Sequence, residues 1–168
     1  MAEHAAQNAI QLLKADHREV EALFEKYEKA SGDSRKEKIA REICTELKVH
    51  AMIEEEIFYP ALRGKIDDED IDEALVEHDG AKLLINEIEA GNPDDQFYDA
   101  KVKVLQEQIE HHIKEEEKEH DNMFQQARTA DVDLQALGEQ MAARKAELMK
   151  VAGTDGLPPA QTATMEQA

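Results

Sequence analysis

Apolar residues recur along most of this chain at spacings of three and four, the period of a helix with one buried face. The first such run extends from Ile10 to about Tyr27 and stops at the turn Ser31-Gly32-Asp33-Ser34. Ser34 reads as the N-cap of a second helix, which carries Ile39, Ile43 and Leu47 on to Phe58 before Pro60 and Gly64 close it. A third segment, read as the shortest, runs from about Asp70 through Leu75, Ile85 and Ile88 to Gly91-Asn92-Pro93. A fourth, long segment from about Asp95 to Ala127 holds Val102, Leu105, Ile109 and Met123 on one stripe, with no Gly or Pro inside it. Short connections between four such helices predict an all-α, up-down-up-down antiparallel four-helix bundle over residues 1–130. Leu134, Leu137, Met141 and Leu148 share one side of a further segment, predicting an additional C-terminal helix over 131–152 packed on the bundle. The remainder, 153–168, has two adjacent prolines and small polar residues and is expected to be a disordered tail.

Each predicted core stripe is interrupted by a histidine. The first reads Ile10, Leu13, His17, Val20, Phe24, Tyr27, and the third Ile71, Leu75, His78, Ile85, Ile88. In the second and fourth, two successive core positions are polar: His50 and Glu54, then His112 and Glu116. Spacing i to i+4 stacks each His over its Glu on one helix face, about 6 Å apart along the axis. The two halves also resemble each other. ADHREVEALFEKYE aligns with VEHDGAKLLINEIE, matching His17 to His78, and HAMIEEEIF aligns with HIKEEEKEH, matching His50 to His112 and Glu54 to Glu116. All four histidines fall near the middle of their helices, so antiparallel packing brings them to one level.

A single core histidine is ordinarily a satisfied structural residue. Four in register, two with a carboxylate one turn on, have no packing rationale. Burying two carboxylates among imidazoles costs several kcal/mol per ion unless a charge pairs with them, and the stripes offer no Lys or Arg at that level. A cation is the natural partner. Imidazole and carboxylate donors suit iron, manganese or zinc, and six of them exceed what one structural zinc takes but fit two metal ions. Two irons fit best, with manganese or zinc as substitutes.

Composition narrows the function classes. The 168 residues carry 20 Lys and Arg against 39 Asp and Glu, a formal charge of −19, which repels phosphate backbones and anionic lipid and argues against nucleic acid or a membrane surface as partners. Cys44 is the one cysteine, so neither an internal disulfide nor a cysteine-built iron–sulfur site is available, and it is expected to be a small buried hydrophobe. No leader pattern or membrane-length apolar run stands out, so a cytoplasmic protein, monomeric or weakly self-associating, is expected.

At these residues the chain resembles the hemerythrin family, in its HHE cation-binding branch, over about residues 10–127. His50-Ala-Met-Ile-Glu54-Glu-Glu-Ile-Phe-Tyr-Pro60 matches that family's most recognisable motif, and His112-Ile-Lys-Glu-Glu116 matches its second copy without the closing Phe-Pro. The resemblance implies that His17, His50, His78 and His112 are terminal ligands and that Glu54 and Glu116 bridge two non-haem irons, which also share an oxo or hydroxo bridge. Oxygen carriers of the family have a second histidine four residues from the one on the third helix, whereas here those positions are Ala74 and Lys82. One histidine ligand is missing, which implies an open position for a diatomic ligand or peroxide. The implied functions are oxygen or nitric oxide binding or sensing, or peroxide decomposition. Enzymatic activity is left open, and no catalytic side chain is assigned. The alternative is an iron storage, sensing or delivery protein whose fold depends on the metal. A ferritin-like oxidase needs Glu-x-x-His twice, and only Glu117-x-x-His120 fits. His111 is expected to be exposed or behind the ligands, His120 to lie at the boundary, and His4 to play no part. Glu55, Glu56, Glu115 and Glu117 are expected on solvated helix faces.

Overall fold

The structure, a computed structural model, describes residues 6–166, so His4 lies outside the described residues. Helix α1 spans Ala9–Lys29 and begins at a capping box, in which Asn8 and Gln11 satisfy each other's backbone N–H groups. Helix α2, Asp33–Ile53, follows after a three-residue turn and lies antiparallel to it. Ser34 is not its cap. The turn is made by Gly32 at φ 90°, and Asp33 stands in the first turn, where its charge suits the helix dipole. A π-helical turn, Glu54–Phe58, carries α2 into α3, Tyr59–Leu62, and Gly64 at φ 79° ends it.

Helix α4, Asp68–Ala90, is capped by the Asp67 side chain. At 23 residues it exceeds the 16 of α5, Tyr98–Ile113, so the third segment is not the shortest as expected. The long fourth helix is also not continuous. After α5 comes a second π-helical turn, Lys114–Lys118, then an extended Glu119 and a left-handed Asp121 at φ 56°. Asn122 caps the short α6, Met123–Thr129, and its amide donates to the Glu119 carbonyl. The break needs no Gly or Pro because Asp and Asn tolerate the left-handed region and make good caps.

The order is α1-α2-α3 then α4-α5-α6, two similar halves forming an antiparallel bundle, with no strand among the described residues. Helix α7, Leu134–Thr154, buries Gly138, Met141 and Leu148 against α1 and α2. The approach is close at Gly138, where a Cβ would stand 2.4 Å from the Gln7 carbonyl oxygen. Residues 157–165, expected to be disordered, are instead laid along α2 and α4, with Lys48, Asp79, Lys82 and Asn86 bonding the strap's backbone groups.

The apolar core falls into two clusters. One gathers Leu13, Phe58, Leu62, Ile71, Phe124 and Met141, and the other gathers Val20, Phe24, Ile43, Ile85 and Leu105. Cys44 is buried in the second, which pushes its thiol up to about 12. Between the two clusters lies a layer of histidines and carboxylates.

Candidate metal centre

All six predicted residues, His17, His50, Glu54, His78, His112 and Glu116, are buried in that layer. His50 Nε2 stands 2.9 Å and His78 Nε2 3.4 Å from the same Glu54 oxygen. Glu116 meets His112 Nε2 through one oxygen and lies 3.6 Å from His17 Nε2 through the other. His78 Nε2 and His112 Nε2 face each other at 3.2 Å. Two groups of donor atoms result, His17, His50 and Glu116 in one, and Glu54, His78, His112 and Glu116 in the other, each compact enough to hold a metal ion. Glu116 belongs to both.

The π-helical turns bear on this geometry. In a regular α-helix a residue five further on points about 140° away. The turn after Glu54 absorbs one extra residue, with the Tyr59 N–H donating to the Glu54 carbonyl, and so swings Tyr59 back onto the face of His50 and Glu54. Its hydroxyl donates to Glu116 at 2.9 Å and lies 3.3 Å from His78 Nε2 and 3.5 Å from His112 Nε2. Tyr59 thus adds a phenolic oxygen to the layer that the periodicity of the sequence did not place there. The second π-helical turn, Lys114–Lys118, contains Glu116 but begins two residues earlier in the duplicated register and brings no tyrosine to the layer.

A ring of carboxylates backs the histidines. His50 Nδ1 donates to Asp16 at 3.0 Å, His78 Nδ1 to Glu55 at 2.9 Å and His112 Nδ1 to Glu77 at 3.0 Å, while His17 Nδ1 approaches Glu117 at 3.6 Å. A cationic or imidazole group stands behind each: Lys145 of α7 on Asp16, Lys82 on Glu55, His111 on Glu77, Arg18 on Glu117. Such pairing fixes ring orientation and leaves each Nε2 aimed inward. Glu55 and Glu117 are therefore not on solvated faces as expected; Glu117's side chain is 4% exposed. His111 is exposed and meets both Glu115 and Glu77, the latter being the partner of His112. His120 is exposed.

The electrostatics follow from this crowding. Burial opposes charge on His50, but Glu54 and Asp16 outweigh it and hold the imidazole at about 10. His78 and His112 are raised in the same way against burial, by Glu54 and Glu55 and by Glu116 and Glu77 respectively. Burial works to raise the Glu54 carboxyl, yet His50 and His78 pull it well below the usual range. Burial and the Glu116 and Glu54 carboxylates push the Tyr59 phenol well above its ordinary value.

Even so, His17 Nε2, His50 Nε2, both Glu54 oxygens and one Glu116 oxygen are buried with no hydrogen-bond partner. These atoms converge, His50 Nε2 and a Glu54 oxygen as a charge contact at 2.9 Å, without meeting in hydrogen-bonding geometry, which is costly unless a cation lies among them. The donor set therefore fits metal. Two cavities reach it. One of about 290 Å³ is mostly apolar and touches all four histidines. The other, about 180 Å³, is rimmed by Asp70, Glu73, Glu77, Glu115 and Glu119 and reaches His112 and Glu116.

A helical bundle whose midsection is a layer of inward-facing imidazoles and carboxylates defines a cation-binding bundle. The comparisons make the class specific: residues 8–120 match the Hemerythrin HHE cation binding domain, and the chain belongs to that family. A crystal structure of a hemerythrin HHE cation-binding domain-containing protein from Mycobacterium kansasii is similar at a TM-score of 0.74, with 25% identity, covering 90% of this chain and 95% of that one. A DNA nickase from Nostoc sp. is 26% identical over 110 residues, 66% of this chain but 31% of the relative, so the chain matches about a third of that protein's length. No helix among the described residues is long and apolar enough to cross a membrane.

Proposed function

We propose that His17, His50, Glu54, His78, His112 and Glu116, joined by Tyr59, hold two non-haem irons and that the centre handles a small ligand, a diatomic molecule or peroxide, at an open position. The observation that carries the proposal is the set of orphaned buried donors between His17, His50, Glu54 and Glu116. Two ions rather than one follow from the two donor groups and from Glu116 serving both. Manganese and zinc accept the same donors. When bound, two irons supply one-electron redox chemistry and Lewis acidity toward a small oxygen- or nitrogen-containing ligand.

The chain's own residues do the rest. Asp16, Glu55 and Glu77 hold Nδ1 of their histidines, fixing the tautomer that presents Nε2. Tyr59 places a hydroxyl between Glu116 and the paired His78 and His112, able to donate a proton or to give its oxygen to the cation. The apolar cavity excludes bulk water from one side, and the acidic pocket on the other attracts cations. Titration of the iron-loaded chain with azide, nitric oxide and peroxide tests the open position: a saturable spectral change with one of them supports it, and a spectrum inert to all three contradicts it.

The same orphaned donors favour a second reading, iron storage, sensing or delivery, because without a cation the layer destabilises the bundle. Resistance to protease with and without iron separates the two. A metal-free chain as resistant as the loaded one rules out metal-gated folding.

A further inference from the structure

We propose that the apolar cavity beneath residues 157–161 binds an uncharged organic molecule of about ten non-hydrogen atoms, and that residues 157–165 are its lid. The cavity is about 290 Å³. A diatomic ligand or peroxide needs roughly the 30 Å³ share of a water, whereas a cavity of about 150 Å³ lined by apolar side chains admits benzene. Part of this space, at the histidine layer, is where the ions would sit, and the apolar remainder still exceeds what the small ligand alone needs. Its walls are Val20, Leu47, Ala51, Ile85 and Ile113, its floor is the histidine layer, and its roof is Leu157, Pro158 and Pro159. Such a surface favours aromatic or aliphatic groups.

Negative charge on the occupant is disfavoured because Asp16, Glu46, Glu55 and Glu56 also line the space and the cations at the rim are already engaged, and the mostly apolar walls solvate charge of either sign poorly. Lys48 donates to both oxygens of Glu89 at 2.8 and 2.9 Å and to the Pro158 carbonyl at 3.1 Å. Lys82 donates to Glu55 and to the Gln161 carbonyl, both at 2.8 Å, and lies 3.5 Å from Asp79. Each ammonium has three donors; those of Lys48 are all engaged, and Lys82 has two hydrogen-bonded while its charge is shared between Glu55 and Asp79, so neither lysine is placed to pair with an anionic head group.

The roof is held by hydrogen bonds more than by apolar packing. Side chains of the bundle grip its backbone: Asn86 bonds both the N–H and the carbonyl of Ala160, at 2.8 and 2.9 Å. The fully buried Asp79 accepts from the N–H groups of Ala163, Thr164 and Met165 and from the Thr164 hydroxyl, between 2.6 and 3.0 Å. Unlike core helices, this segment contributes no fully buried apolar side chain, and lifting it exchanges those bonds for water and withdraws only Leu157 from the edge of one apolar cluster, as in low-stability lids. Lys82 also ties it to the centre, since the Glu55 it holds is the partner of His78. The apolar walls and the roof are set by residues outside the donor layer, while the floor of the cavity and this last link rest on the proposed function.

Indole is a suitable probe: it is uncharged, and the chain contains no Trp, so its fluorescence reports binding without background. Binding is measured on the metal-free full chain by fluorescence and on the iron-loaded chain by calorimetry. The comparison variants are Ala81→Leu, which fills the cavity, Asn86→Ala, which loosens the lid, and a chain ending at Gly156. The proposal expects saturable one-to-one binding, affinity reduced about tenfold or more by Ala81→Leu, and association and dissociation both faster by about tenfold in the shortened chain, with Asn86→Ala intermediate. Absence of saturable binding in both the full and the shortened chain overturns the site. Affinity indifferent to Ala81→Leu overturns its location, and rates indifferent to both lid variants overturn the lid. Indole binding by a chain that takes up no iron leaves this proposal standing and sinks the metal centre instead.

Discussion

Replacing Tyr59 with Phe removes one oxygen from the centre and leaves the ring packed against Phe58 and His78, whose centroids lie 6.0 and 5.5 Å away. In the metal-free chain the loss is the hydrogen bond to Glu116 at 2.9 Å, a bond to a charged group, worth about 1.5–3 kcal/mol. The same oxygen lies within 3.5 Å of Nε2 of both His78 and His112, the two imidazole nitrogens of one donor group. If it is given to an iron there, the loaded chain loses more than the metal-free chain does, by at least about tenfold in iron affinity or about 1.4 kcal/mol. Urea denaturation of Tyr59→Phe and the unaltered chain, each with and without iron, measures both terms. A visible phenolate-to-iron charge-transfer band in the oxidised protein, absent from the variant, is the independent sign. Equal destabilisation in both states, with an unchanged visible spectrum, would show that Tyr59 only hydrogen-bonds Glu116.

Asp16→Asn removes the carboxylate behind His50 and strands Lys145, and is expected to weaken metal binding by about 10–100-fold in a chelator competition; unchanged affinity would mean that the carboxylate ring does not tune the centre. Gly138→Ala drives a Cβ toward the backbone of residues 7–9, with contacts of 2.4–2.7 Å, so α7 must shift and stability should fall by about 1–3 kcal/mol in urea. A neutral result would deny that α7 seats on the start of α1. His50 carries a proton in the metal-free fold up to about 10 instead of the ordinary 6.5, so its contribution to stability is fully present below 6.5 and lost as pH rises to about 10. The metal-free chain should therefore weaken across that window, while iron, competing for the same nitrogens, should bind more tightly and release protons; a flat metal-free profile speaks against protonated His50.

The helices and the polar layer were legible because both depend on periodicity. His17, His50, Glu54, His78, His112 and Glu116 break apolar stripes at matching positions of a duplicated sequence, and the stripes alone place them inward. Tyr59 was not legible, because a π-helical turn moves it by one position relative to the α-helical period and nothing in Glu-Glu-Glu-Ile-Phe announces that turn. Asp16, Glu55, Glu77 and Glu117 sit beside the stripe rather than on it, so whether they face water or a neighbouring histidine depends on how adjacent helices are set. The break before Met123 did have a signal, the Asp121-Asn122 pair, hidden by the absence of Gly and Pro. The strap of 157–165 escaped because side chains far away in sequence hold its backbone, and its own composition carries no mark of them.

The role proposed for the buried layer is to hold two metal ions. Its most direct test is iron per chain, measured by elemental analysis after anaerobic loading and desalting, with a His50→Leu/Glu54→Leu variant treated identically. About two irons per chain are expected in the unaltered protein, with a clear loss in the variant. Iron at zero or one per chain, or equal content in both proteins, would contradict it.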